Sequence, residues 1–523
     1  MGIWVYYFML KLGLFWAGSM SLDMPLNLLF ALFVGFPLTR HSSCLIRRAL
    51  SIPMGIALFY HDTFFPTPER LIELMPNLRG FSAGYLAELL TRLINPEYLL
   101  HGILGIVILL IAGRWLRLAT WVIVGILALP TLKETVNRVE AEANPVSPKA
   151  CADGKSSEST QKPVRLGEAD LDATLSGFYQ NESQRKVVFE QRLQGNALPF
   201  DIVFLHICSL AWDDIDALER ESLFKPFDLV FNHFNSAASY SGPAAIRLLR
   251  SNCGQLPHKQ LFSAPKEGCF LFDGLALEGF ESQFVMNHDG HFGGFLENVR
   301  SRNEGGLNVA PSGFFGASSM LKSFDGTPIY SDFDVLSGWW NKRMASATPH
   351  VALYYNTISL HDGNIVKGHE SESSTRTFPL RMHRLMDDIH QFIDLLDRSG
   401  RPVMIVMVSE HGAAIHGDKV QIQGMRELPS PAITQVPLAI RLVGLPTLKP
   451  GHQIVSDRMI SYLGMADLIR QLLHPAATGF SLEEMAAKLL ETPLVSSNED
   501  TTVMKVQDRF YLKEGANAWK DYR

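Results

Sequence analysis

Residues 403–426, VMIVMVSEHGAAIHGDKVQIQGMR, decide how the chain is read, because an apolar, β-branched run stops abruptly at Glu410-His411-Gly412. Such a run is a buried strand, and a strand that ends in a carboxylate beside an imidazole delivers two side chains able to share one zinc ion. In parallel α/β sheets the carboxyl edge of the strands is where ligands are held. An isolated Glu-His-Gly is also what an ordinary polar turn after a strand looks like, so the reading depends on what other segments bring to the same edge.

Four segments have the right character. Cys208 closes an earlier strand in FLHICSLAWDDID; it is either a buried small hydrophobe or a thiolate ligand facing Glu410 and His411. Ser241, followed by Gly242-Pro243 and the helical run AAIRLLRSN, reads as a helix N-cap or as a hydroxyl set among the unpaired N–H groups of a helix start. A serine hydroxyl is a weak nucleophile, and a zinc ion is one way to activate it at neutral pH. Ser236 and Ser239 are alternatives to Ser241, and Tyr240 is placed to line the site. His361 follows the strand in LYYNTISLHDGN, and Arg426 lies one short loop past the ligand pair. Together these two could handle the equatorial oxygens of a phosphoryl group, where charge stabilisation does most of the catalytic work. His288 and His291, in NHDGHFGGF, are further candidates for the pocket wall.

Away from this constellation the chain divides by composition. Of its 523 residues, the first quarter carries the excess hydropathy, so a membrane part and a separate α/β part are expected. Five apolar stretches, near 3–20, 25–39, 43–60, 98–114 and 117–133, read as transmembrane helices. Arg40, Arg47 and Arg48 follow the second stretch and Arg114 and Arg117 the fourth, which assigns those loops, and the amino terminus, to the cytoplasm and everything after residue 133 to the far side, the periplasm of a Gram-negative cell. Lys11 inside the first stretch is expected to snorkel, and the amphipathic segment 82–94 to lie along the outer membrane surface. Residues 134–165 lose apolar periodicity and mark a linker. From residue 199 onward, strand-like runs alternate with helical patterns, which argues for a parallel or mixed sheet between helix layers. With a mild net charge of −6 and no Lys/Arg-rich run, nothing points to nucleic-acid binding. Cys253 and Cys269 are expected to pair in an oxidising compartment, whereas Cys44 and Cys151 have no obvious partner.

With Cys208, Ser241, His361, Glu410, His411 and Arg426 in this order, the chain resembles the alkaline phosphatase/sulfatase superfamily and, within it, the membrane-tethered phosphoethanolamine transferases of the BcsG type, which act on cellulose. KLGLFWAG, ICSLAW, FNSAASYSGPAAIRLLR, FGGFLENVR, LHDGN, EHGAAIHGD and RELPSP carry the resemblance over nearly the whole chain. It implies an α/β fold with about five transmembrane helices (1–133), a linker (134–165) and a periplasmic catalytic domain (166–523) built on a mostly parallel sheet. It implies a single Zn2+ site of Cys208, Ser241, Glu410 and His411, with Ser241 as nucleophile and His361 and Arg426 handling phosphate. Implied partners are phosphatidylethanolamine as donor, cellulose as acceptor and the cellulose synthase complex as neighbour in the inner membrane. The amino terminus begins nearer the first span than in such proteins, so a longer cytoplasmic leader is expected. Two rivals stay open: the same fold serving another acceptor, such as lipid A, or another donor, such as phosphatidylglycerol, and a non-catalytic membrane subunit of the synthase.

Overall fold

A computed structural model describes residues 2–16, 22–63, 81–93, 119–129, 167–189, 200–418, 421–445, 452–474, 481–515 and 517–522, together with Met20, Gly105, Ile111 and Gly479. Contacts divide the chain into two compact units. The second comprises Leu166–Asp418, Gln423–Arg523 and, from far upstream, Asn77–Glu88.

The first unit contains the helices α1 (Trp4–Trp16), α2 (Met24–Gly35) and α3 (His41–Asp62), and the helix Ala119–Leu129. Val5, Phe8 and Leu12 of α1, Phe30 and Val34 of α2, Leu58 of α3, and Val122 and Ile126 form one apolar core. Among the described residues one helix, Ser42–Asp62, is long and apolar enough to cross a membrane, while Met24–Gly35 and Ala119–Leu129 are shorter. The fourth expected span, the linker and Cys151 lie outside the described residues, apart from Gly105 and Ile111 in that span. Lys11 does not snorkel. It is fully buried, and its Nζ donates to Asp62 Oδ2 at 2.7 Å, Asn27 Oδ1 at 2.8 Å and the Leu58 carbonyl at 3.3 Å, so α2 and α3 supply the partners that an interface would otherwise have provided. A helix does form at Ala83–Leu93, and residues 81–88 pack with the second unit, Tyr85 donating to Asp362.

The second unit is a three-layer α/β structure. Its sheets use strands β1 (Asp201–Ile207), β2 (Leu229–Asn235), β3 (Glu281–Met286), β4 (Ser319–Lys322), β5 (Pro328–Tyr330), β6 (Val351–Thr357), β7 (Ile365–Val366), β8 (Val403–Ser409), β9 (Gln435–Val443), β10 (Ile454–Ser456), β11 (Val495–Ser497), β12 (Thr501–Val506), β13 (Arg509–Glu514) and β14 (Lys520–Tyr522). The central sheet runs β10-β2-β9-β8-β1-β6-β3. Its neighbours are parallel except at β9, which runs antiparallel to both β2 and β8. The sheet is therefore mostly parallel, as expected, with one reversed strand that composition does not reveal.

Strands buried on both faces read as continuous apolar runs, with successive side chains entering opposite layers. Met404, Val406 and Val408 of β8 join one core with Leu248 and Leu249 of the helix Ser241–Leu249 and Leu468 and Ile469 of the helix Tyr462–Leu473. Val403, Ile405 and Met407 join the other, with Trp339 and Trp340 of the helix Asp332–Met344 and Phe392 and Leu396 of the long helix Ser374–Ser399. Cys253 and Cys269 form a disulfide. The carboxyl-terminal strands make a separate antiparallel sheet, β11-β12-β13-β14, and β4, β5 and β7 a third. Because β1, β2, β3, β6 and β8 point the same way, their carboxyl ends, with the amino end of the reversed β9, meet at one edge.

Candidate active site

Strand register brings the first ligands together. Ile207 pairs with Ser409 on one side and with Thr357 on the other, so Cys208, Glu410 and the turn leading to His361 emerge side by side. Backbone bonds hold them there, from Cys208 N to Thr357 O at 3.0 Å and from Glu410 N to Ile207 O at 2.9 Å. The chain turns away from Cys208 at Ser209, a non-glycine residue with φ 67°, a conformation costing about 1–3 kcal/mol and retained mostly where surroundings demand it. Gly412 admits no side chain, since a Cβ would lie 2.7 Å from Ala211 Cβ and 3.0 Å from Asp214 Oδ2. That packing lets Asp214 accept from Ala211 N at 2.8 Å and Ala413 N at 2.7 Å, tying the loop after Cys208 to the loop after His411.

Ser241 arrives from the end of β2. It is the first residue of its helix, and Tyr240 occupies the cap position, so the Ser241 hydroxyl is not used as a cap. Instead Oγ lies 3.4 Å from Cys208 Sγ and 3.3 Å from His411 Nε2, while Cys208 Sγ is 3.9 Å from His411 Nε2 and Glu410 Oε2 is 3.9 Å from the same nitrogen. Cys208, Glu410 and His411 are all buried, with ligand atoms within 4.8 Å of one another.

The donor set fits zinc. A tetrahedron with bonds of about 2.0–2.3 Å has edges of roughly 3.3–3.8 Å, close to the spacings found. His411 Nδ1 donates to the Gly412 carbonyl at 2.9 Å, which leaves the Nε2 lone pair directed at the cluster. Glu410 Oε1 is held by Asn356 Nδ2 at 2.6 Å, whereas Oε2 is buried without a hydrogen-bond partner. A buried carboxylate oxygen left unpaired is expensive unless a cation faces it. Burial, with the Glu410 charge adding to it, pushes the Cys208 thiol up to about 12; burial pushes the Glu410 carboxyl up to about 7 and holds the His411 imidazole well below its usual range. A divalent cation would reverse the first two shifts, with proton release.

Arg426 joins this cluster. Its Nη1 lies 3.2 Å from Ser209 Oγ and 3.2 Å from His411 Nδ1, and its guanidinium stands 6.0 Å from the Tyr240 ring centre. His361 lies on the neighbouring turn, and no direct bond joins it to Ser241 among the described contacts. Its Nδ1 donates to the Asp362 carbonyl at 2.7 Å, leaving Nε2 as the acceptor nitrogen, and burial, aided by Arg426, pushes the imidazole down to about 4. Ser239 and Ser236 are committed elsewhere: Ser239 Oγ donates to the Arg426 carbonyl at 2.6 Å and Ser236 Oγ to the Ala238 carbonyl at 3.2 Å. Tyr240 donates to Glu427 Oε1 at 2.6 Å. His291 is exposed between Asp289 and Asp325 and does not reach the cluster. His288 is not a wall of the pocket but stands behind it, with Nε2 2.8 Å from Asn356 Oδ1.

Three contributors escape the sequence reading. Asn356 passes a hydrogen bond from His288 to Glu410, and the only trace of it is a polar residue inside the apolar strand run LYYNTI. His206, inside FLHI, lies 3.4 Å from Glu410 Oε1 and 2.8 Å from Tyr354 Oη. Asn498, in a loop of the carboxyl-terminal sheet, donates to Ser239 Oγ at 2.7 Å and Glu427 O at 2.8 Å, and nothing in its local sequence announces this.

Comparison with known proteins gives the same segments a family setting. Residues 4–131 match the profile of the cellulose biosynthesis protein BcsG N-terminal domain and residues 155–519 that of the BcsG C-terminal domain. The chain is 35% identical to the cellulose biosynthesis protein BcsG of Escherichia coli K12, over 99% of this chain and 96% of that one. Among solved structures, an alkaline phosphatase superfamily protein from Vibrio parahaemolyticus aligns at 13% identity and a TM-score of 0.46, covering 67% of this chain and 87% of that one. The integral membrane lipooligosaccharide phosphoethanolamine transferase A of Neisseria meningitidis aligns at 11% identity and a TM-score of 0.39, covering 87% and 96%.

Proposed function

Because this chain belongs to the BcsG family of cellulose biosynthesis proteins, we propose that it is a phosphoethanolamine transferase that moves the headgroup of phosphatidylethanolamine to the glucose 6-hydroxyl of nascent cellulose. The observation that carries the reading is the convergence of a hydroxyl, a thiol, an imidazole and an unpartnered buried carboxylate oxygen, with Ser241 Oγ 3.3–3.4 Å from His411 Nε2 and Cys208 Sγ. A scaffold would have no use for a buried Glu410 oxygen left without a hydrogen-bond partner beside a thiol and an imidazole.

Zinc held by Cys208, Ser241, Glu410 and His411 would supply the Lewis acidity that makes the serine oxygen nucleophilic at neutral pH. Ser241 Oγ then gives up its proton and forms a bond to the phosphorus of the lipid, the bond from phosphorus to the glyceryl oxygen breaks, and diacylglycerol leaves with the equivalent of the proton that Ser241 lost. Arg426 faces the charge on the phosphoryl oxygens, helped by the amino end of the helix that Ser241 begins. In the second half a glucose 6-hydroxyl attacks the phosphorus, His361 Nε2 accepts its proton, and the Ser241 oxygen departs. An inner-membrane anchor and a periplasmic domain put the site beside both the lipid donor and a synthase that extrudes glucan, so contact with that complex is part of the proposal.

The test is peptide mass spectrometry of the Ser241 segment after incubating the full chain, zinc-loaded, with phosphatidylethanolamine. A phosphoethanolamine adduct on Ser241, absent from Ser241→Ala, is the expected result. No adduct, with phosphatidylglycerol giving a glycerol phosphate adduct instead, would replace the donor; no adduct from either lipid would overturn the transferase reading.

A further inference from the structure

The turn His361-Asp362-Gly363 is held largely by residues that lie far away in sequence. Asp362 accepts a hydrogen bond from Tyr85 Oη at 2.9 Å, across a separation of 277 residues. Gly363 has φ +78°, and a Cβ there would stand 2.7 Å from Tyr85 Cε2 and 2.7 Å from Phe324 Cβ, so the Tyr85 ring rests on the glycine backbone itself. The His361 ring lies against Phe324, with ring centres 4.9 Å apart. Phe324 is in turn shared with Phe81 at 5.3 Å and Tyr85 at 5.9 Å, and its carbonyl accepts from Ser82 N at 2.9 Å. Glu88 continues the contact by accepting from Ser374 N at 2.9 Å, and Ser374 Oγ accepts from Gly363 N at 2.8 Å.

From the turn's own neighbourhood, Arg381 clamps the Ser359 and His361 carbonyls at 3.0 and 3.1 Å. That fixes the backbone before His361. The side after it, which carries the Asp362 carbonyl bonded to His361 Nδ1, is held by Tyr85 through the Asp362 carboxylate and the Gly363 backbone, together with Ser374 Oγ on Gly363 N. A proton acceptor must sit within about half an ångström of its productive position, and small displacements are costly in rate.

We infer that Tyr85, in the segment between the third and fourth apolar stretches, is a positioning residue that sets the His361 imidazole for proton transfer. The kinetic part of this inference rests on the transferase reading, whereas the structural part does not. Tyr85→Phe keeps the ring on Gly363 and removes the hydroxyl that donates to Asp362, so it is the informative variant.

The experiment uses the full zinc-loaded chain in detergent and two readouts. In hydrogen-exchange mass spectrometry, peptides spanning residues 359–364 exchange faster in Tyr85→Phe, while those of β1 and β8 are unchanged; unaltered protection of 359–364 overturns the inference whatever the enzyme does. In turnover with phosphatidylethanolamine and a cello-oligosaccharide, Tyr85→Phe lowers kcat about tenfold with KM for the lipid unchanged, and has no further effect in a His361→Ala background. A raised KM, or equal losses in both backgrounds, would assign Tyr85 to lipid binding or general stability instead and overturn the inference. Inactive wild-type protein with the exchange difference intact would overturn the transferase reading and leave the positioning of the turn standing.

Discussion

The two oxygens of Glu410 are treated differently, one held at 2.6 Å by Asn356 and the other buried without a hydrogen-bond partner, and in the proposed function the second oxygen is the one offered to zinc. Glu410→Gln keeps shape and volume but loses the charge and can place an N–H where a cation is needed. Zinc content of the purified chain, read by elemental mass spectrometry, is expected to fall at least tenfold with the fold intact; unchanged zinc would remove Glu410 from the ligand set. His361 supports a second prediction. Its imidazole is pushed down to about 4 by burial and by Arg426, so the unprotonated, proton-accepting form persists down to that pH. Turnover per zinc-loaded enzyme should therefore show no His361 limb near the ordinary histidine value of about 6.5, and the limb assigned to it by comparison with His361→Ala should lie clearly below that value, a nearby cation adding to the push. A limb at 6.5 that vanishes in that variant would show a solvated, not a buried, imidazole. The sequence placed Cys208, Ser241, Glu410 and His411 at one edge because each directly follows a strand or opens a helix there, whereas Arg426 lies well inside the loop between β8 and β9 and reaches them through that loop's path. The sequence did not carry Asn356 or the displacement of His288 behind the site, because register across β3, β6 and β8 decides which polar strand residues meet.

At the level of elements, the strands and long helices were legible because burial on both faces imposes continuous apolar runs and the 3.6-residue period marks the helices. The reversal of β9 was not, since VPLAIRLV reads the same in either direction, yet this reversal starts β9 at the catalytic edge and brings Arg426 there just before it. The carboxyl-terminal sheet acts as a clamp that no local pattern announces. Asn498 ties Ser239, two residues before Ser241, to the carbonyls of Arg426 and Glu427, while Ser496 Oγ donates to Asn235 Oδ1 at 2.9 Å. Asn498→Ala leaves these acceptors short of a buried donor, a loss of about 1–3 kcal/mol. Thermal unfolding of the second unit should shift down accordingly, and kcat should fall because the loops carrying Ser241 and Arg426 lose a bond that joins them, with the Ser239 Oγ–Arg426 carbonyl bond remaining; unchanged kcat would reduce Asn498 to a stabilising role. The Cys253–Cys269 disulfide closes a sequence separation of 16, which in the chain-entropy account contributes about 3 kcal/mol. Cys253→Ser/Cys269→Ser should lower the melting temperature with zinc content unchanged; no shift would show that the pair contributes nothing to stability.

At the scale of the whole molecule, the two units rest on different physics. The second buries a continuous apolar core on each side of its sheet. The first has a smaller core and, inside it, a polar knot: Lys11 bonded to Asn27 and Asp62, with Asn27 Nδ2 also donating to Asp62 Oδ2 at 2.6 Å. One residue comes from each of α1, α2 and α3, so the knot joins three helices whose apolar surfaces alone leave their mutual register loosely specified. The sequence showed Lys11 as an anomaly in an apolar stretch, but Asp62 stands at the far end of another helix, and no local pattern connects the two. A buried ion pair against hydrophobic replacements of similar size is often close to neutral, whereas removing one member strands the other charge at about 3–5 kcal/mol. Lys11→Met should thus markedly lower the melting temperature of the detergent-solubilised full chain, and Asp62→Leu should do the same. The double variant Lys11→Met/Asp62→Leu should recover most of the loss, because no buried lone charge remains, although the Asn27 amide and the half-exposed His61 ring each lose a partner. A double variant as unstable as the sum of the singles would mean that the two residues are not coupled, and that Lys11 reaches solvent at the membrane surface after all.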